Sequence, residues 1–193
     1  MNKKLIFGTT IALLLVTVGA GVAYAAFKDE IKFASSTISV GSADIKLLLD
    51  LTGGTGVANL ADQKDAPSFT GITPTWTQDY LVKIYNNSTS KLQISSTADY
   101  ATANDPDSLR SYINVEIFPW NDANNNGILD DSELGTSLGK KTVIKWKSEG
   151  FDLGTLDTGN VQGYVLRFSA ETLPDTKQGK TGSFDFMFDA TGL

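Results

Sequence analysis

Near its end the chain sets Phe184, Phe186, Phe188 and Ala190 at every second position, with Asp185, Met187 and Asp189 between them. A period of two belongs to a pleated strand with one buried and one solvated face, and it draws no continuous stripe on a helix. The same spacing recurs at Ile45, Leu47 and Leu49, at Ile113, Val115 and Ile117, and at Leu166, Phe168 and Ala170. Further strands are expected from Tyr80 to Tyr85, from Lys91 to Thr97 and from Thr142 to Trp146, separated by runs of Gly, Asn, Asp, Ser and Thr. Helix is expected only as a turn or two at Pro106–Ser111 and Ala58–Asp65, and Thr52–Phe69 reads as a mobile excursion. Many short strands joined by such turns predict an all-β sandwich.

The 193 residues suit one domain with a sizeable core. The chain has no Cys and no His, which removes the residues on which thiol proteases, serine triads, zinc hydrolases and most acid–base sites depend. An enzyme is therefore not expected. Formal net charge is −6, and Lys3 and Lys4 are the only charges before Ala26, so the rest of the chain carries −8. That sign excludes a nucleic-acid partner, which requires a basic footprint.

Lys3 and Lys4 precede an apolar run from Leu5 to Val22, and Ala23-Tyr24-Ala25 supplies the small-x-small pattern that signal peptidase reads. Residues 1–25 are read as a secretory signal helix cleaved between Ala25 and Ala26, with signal peptidase as a transient partner. The competing reading is an uncleaved anchor, since the run approaches the roughly 20 residues needed to span a bilayer. Export with no Cys leaves stability to packing, bound metal or assembly.

The strongest local motif is the stretch from Asp122 to Glu133, which matches D-x-[DN]-x-[DN]-G-x5-E at every fixed place. This spacing offers a hard cation the side chains of Asp122, Asn124, Asn126, Asp130 and Glu133 and the carbonyl of Ile128, with Gly127 at the reversal. The flanks do not read as the paired helices of an EF-hand, so an isolated structural calcium clip is expected. Its affinity should be roughly 10⁻⁴ to 10⁻³ M, and chelation should lower thermal stability. The bland alternative is a solvated Asn/Asp turn.

Three passages carry a family resemblance. Ala25-Ala26-Phe27-Lys28-Asp29 leads through Phe33-Ala34-Ser35-Ser36-Thr37 to Val40-Gly41-Ser42-Ala43-Asp44-Ile45-Lys46-Leu47. Tyr80-Leu81-Val82-Lys83-Ile84-Tyr85-Asn86-Asn87-Ser88 follows, and Phe184-Asp185-Phe186-Met187-Phe188-Asp189-Ala190-Thr191 closes the chain. Together they resemble the TasA/camelysin family over the first 50 residues or so and the last dozen. Gly41-Ser42-Ala43-Asp44 departs from the family's usual Gly-Thr-Leu-Asp, and the Asp122–Glu133 loop stands outside its pattern. The resemblance implies a jelly-roll-like sandwich spanning residues 41–193. It implies a secreted protein that polymerises into biofilm-matrix fibres or bundling pili by donor-strand complementation, with itself as partner and with cell-surface or matrix contacts. The donor segment would lie within residues 26–40, with Ala26, Phe27, Ile31 and Phe33 at its heart. An extended peptide that adds to a sheet edge gains main-chain hydrogen bonds. The alternative is that this segment pairs within its own chain.

Two other functions compete. A monomeric calcium-dependent adhesin or carbohydrate-binding module would stack sugars on Trp76, Trp120, Trp146 and the tyrosines. The family likeness also raises a metalloprotease, which the absence of histidine ligands disfavours. Asn86 and Asn87 open two overlapping glycosylation sequons with Ser88 and Thr89.

Overall fold

The computed structural model describes the backbone of Lys28–Phe33 and the whole of residues 43–193. The expected signal helix, the cleavage residues Ala23, Ala25 and Ala26, and Phe27 lie outside the described residues.

Among the described residues eleven strands form two sheets, antiparallel apart from one short parallel pair. The first sheet runs in the order β4 (Gln63–Lys64), β1 (Lys28–Phe33), β11 (Asp185–Gly192), β6 (Leu92–Asp99), β9 (Phe151–Leu156). The second runs β3 (Leu60–Ala61), β2 (Ile45–Leu48), β5 (Thr77–Asn86), β10 (Val161–Ser169), β7 (Asn114–Trp120), β8 (Gly139–Thr142). The alternating residues do what their spacing predicts. Ile45, Leu47, Val115, Ile117, Leu166, Phe168, Phe186, Phe188 and Ala190 all join one core. Leu49 departs from the pattern because β2 ends at Leu48, which leaves it exposed in the turn.

One expectation is corrected and two are made more specific. Thr142–Trp146 is not a strand: β8 ends at Thr142, and Val143–Glu149 forms a short helix, α1. The Thr142 hydroxyl accepts from the Lys145 amide as an N-cap, a contact that stabilises by about 1 kcal/mol. Val143 and Trp146, three residues apart, then face the core together. Within Thr52–Phe69, expected as a mobile excursion, lie β3 and β4 and a 3-10 turn at Val57–Asn59. Asn59 pins it by donating to the carbonyls of Asp50 and Gly54 while accepting from the Asp50 amide. Of the helical turns expected at Ala58–Asp65 and Pro106–Ser111, each reduces to one 3-10 turn, at Val57–Asn59 and Leu109–Ser111.

The second sheet is covered on both faces. Its inner face meets the first sheet, and its outer face carries a smaller cluster of Phe118, Trp120 and Val165 with Leu51, Leu81, Leu129 and Leu134. Two loops roof that outer cluster: the one after β2, and the one after β7 that contains the Asp122–Glu133 motif.

Candidate functional site

Two features hold the sequence-predicted site residues. The first is the place of β1. This first described strand lies in the interior of its sheet, antiparallel to β11 with Lys28 opposite Thr191, Ile31 opposite Phe188 and Lys32 opposite Met187. On its other side only Lys32 and Phe33 pair, with Gln63 and Lys64 of β4. In the single chain, Lys28–Phe33 of the predicted donor segment pairs with β11 and β4. Residues 34–42 connect it to β2, which sits in the opposite sheet. The remaining sheet margins are poor templates for pairing. β3 and β4 are two residues each, β8 presents Lys140 and Lys141, and the pairing of β9 with β6 is interrupted between Ile94 and Ser95. Short, charged or irregular edges resist further strand addition.

The second feature is the loop. Gly163 of β10 registers with Lys83 on one side and Trp120 on the other, so the three lie in one row across the outer face of the second sheet. A Cβ on Gly163 would stand 2.7 Å from the Trp120 carbonyl and 2.9 Å from its ring, so only glycine lets the indole lie over the strand. The ammonium of Lys83 then sits 5.1 Å from the Trp120 ring centroid. It donates to the carbonyl of Leu51 at 2.7 Å, to Oδ2 of Asp122 at 2.7 Å and to Oδ1 of Asn125 at 3.4 Å. Both members of the Lys83–Asp122 pair are buried.

Asp122 receives two further donors, the amide of Asn126 on Oδ1 and that of Gly127 on Oδ2. Burial by itself would raise its pKa, but the Lys83 ammonium and these two amides outweigh burial and hold the carboxyl below the ordinary value. Gly127 takes φ of 69° at the reversal, as the motif requires. Asn124 accepts from the Asn126 amide and donates to Asp130, while Asn126 accepts from the Ile128 amide. Glu133 is buried, with Oε1 accepting from the Ala123 amide and Oε2 from both the Asp130 amide and the Trp120 indole.

The donors are right in kind for calcium, being oxygen throughout, and each side-chain donor is also hydrogen-bonded within the chain. An EF-type loop needs a two-oxygen bite from its last carboxylate. Glu133 has three N–H groups on its two oxygens. Among the described residues no three acidic side chains gather into a metal-holding group.

The other candidates separate cleanly. Asn86 is fully buried, its amide donating to the carbonyls of Ser90 and Leu156 and its Oδ1 accepting from Ser88, so it cannot receive a glycan. Asn87 is exposed and donates to Asp44. Trp120 and Trp146 are buried, and Trp76 packs edge-on against Phe69 beside the core, so the three tryptophans form no common sugar-stacking face. Sequence reasoning missed Lys83, although a lysine within Leu81-Val82-Lys83-Ile84-Tyr85 was a visible signal: a charge in an otherwise apolar strand needs a partner.

No known family model matches this chain, and no curated protein matches it.

Proposed function

We propose that the protein is the structural subunit of a secreted filament, a biofilm-matrix fibre or bundling pilus, which polymerises when β1 of one copy enters the sheet of the next. The observation that carries this reading is the interior position of β1, the first described strand, against a β11 that keeps a full partner, β6, on its other side. Withdrawing β1 strips one edge of β11 of its hydrogen bonds while the β11–β6 and β5–β10 pairings remain. A neighbour's copy of the same strand would restore the same register. Exchange of this kind costs little, because the bonds made between copies replace identical bonds within one. The blunt margins elsewhere favour growth through that one slot over lateral stacking. The jelly-roll description and the TasA/camelysin likeness belong to this same reading.

Deleting Ala26–Ile31 should abolish fibres in negative-stain images of the secreted protein while leaving a soluble, β-rich subunit. Adding the peptide of residues 26–33 in trans should restore the stability of that subunit without restoring fibres. Fibres that persist after the deletion would refute strand exchange. Dispersed particles from the intact chain at high concentration would favour a monomeric adhesin.

A further inference from the structure

The ammonium of Lys83 lies against the Asp122–Glu133 loop. An ammonium has three N–H donors, and the three of Lys83 meet three acceptors from two different loops: Leu51 O, Asp122 Oδ2 and Asn125 Oδ1. Leu51 belongs to the loop after β2, and the other two belong to the calcium-type loop, so one charge ties both roofs to the strand beneath. In a metal loop of this spacing, a divalent ion draws the first carboxylate and the neighbouring carbonyl-type oxygens inward. Here Lys83 engages that first carboxylate, Asp122, from below, together with Asn125 and Leu51, which lie outside the motif's ligand positions, and with the Trp120 ring against its ammonium. The last carboxylate, which would otherwise close on the ion, is satisfied by the indole of Trp120 and the amides of Ala123 and Asp130.

We infer that Lys83 serves as the built-in cation of this loop, so that the loop keeps its shape without calcium. The inference is independent of strand exchange. It also reverses the expectation, drawn from the motif alone, that a chelator destabilises the protein. Both partners are buried, and a buried charge deprived of its partner is far more costly than a surface one. The loop is consequently held by the chain's own charges.

The test compares thermal melting of the chain in EGTA with melting in about 10 mM CaCl2, a concentration that saturates weak extracellular sites of this motif. Wild-type protein should melt within about 1 °C of the same temperature in both, whereas a calcium clip would gain roughly 3 to 10 °C. A rise of that size overturns the inference. Lys83→Met should lose roughly 5 to 15 °C in EGTA and regain part of the loss with calcium, because the freed Asp122 oxygen restores the charge a divalent ion needs. Asp122→Asn should lose stability without gaining any calcium response. Should Lys83→Met fail to fold, the wild-type and Asp122→Asn melts still decide. A Lys83→Met protein as stable in EGTA as the wild type would also overturn the inference.

Discussion

The indole N–H of Trp120 donates to Oε2 of Glu133 over 3.2 Å, so the last strand residue before the loop is bonded to the loop's final side chain. The main chain repeats the closure one step to either side. The Asn121 amide donates to the Glu133 carbonyl, the Gly135 amide to the Pro119 carbonyl, and Trp120 bridges to Leu134. The loop is therefore sealed at its base by backbone, by indole and by Lys83 from beneath.

This geometry makes two tryptophans of similar burial unequal. Trp120→Phe removes the donor to a buried carboxylate and should destabilise by about 3 kcal/mol. Trp146→Phe should be milder, about 1 to 2 kcal/mol. The indole nitrogen of Trp146 has no hydrogen-bond acceptor among the described residues, and a phenyl ring would keep much of the stacking on Phe186. Urea unfolding of the two variants tests the order; equal losses would argue against a structural role for the Trp120–Glu133 bond.

Gly163→Ala places a methyl where the Trp120 carbonyl and ring already stand, at 2.7 and 2.9 Å. The carbonyl belongs to a paired strand and cannot step aside cheaply, so a loss of about 1 to 3 kcal/mol is expected. Displacement of the indole should also change tryptophan emission. An alanine variant with wild-type stability and spectrum would contradict the close packing of this row.

Stability should fall at both pH extremes for separate reasons. The Asp122 carboxyl holds its proton less tightly folded than unfolded, where its value is the ordinary 3.8. Its contribution is therefore complete above about pH 4 to 5 and is lost as pH falls through the lower folded value. Tyr80 shifts the other way: burial, and then the charge of Asp65, push it up from 10.0 to about 12. Its contribution is full below pH 10 and is lost as pH rises toward 12. Melting curves from pH 2 to 6 should flatten for Asp122→Asn relative to wild type. Absorbance titration should show late tyrosinate ionisation that loses one residue's worth in Tyr80→Phe, with Tyr164, also pushed up by burial, supplying the remainder. A full complement of tyrosinates near pH 10 in folded protein would contradict the second account.

Much of the fold was legible because strand periodicity is a local signal. The Phe184–Ala190 alternation needs only its own seven residues to say which side is inside, and the core contains the predicted members. Thr142–Trp146 misled for an equally local reason. Over five residues, Val143 and Trp146 fit a helix face as well as a broken alternation, and the cap supplied by Thr142 decides for the helix. The motif told where the loop would reverse, since Gly127 and the Asn side-chain turns act within a few residues. It could not tell what charge would meet Asp122, because Lys83 lies 39 residues earlier and two strands away.

By itself the sequence determined that this chain makes short strands with one apolar face each, that Asp122–Glu133 turns sharply, and that no histidine or cysteine chemistry is available. Those properties follow from residue types and spacings within a handful of positions. Tertiary structure alone decided which strands became neighbours, that β1 lies beside β11, that Asn86 is buried while Asn87 is exposed, and that the Lys83 ammonium meets Asp122. Each of these depends on groups far apart in the chain, and their encounter is fixed by how two sheets bury their apolar faces together.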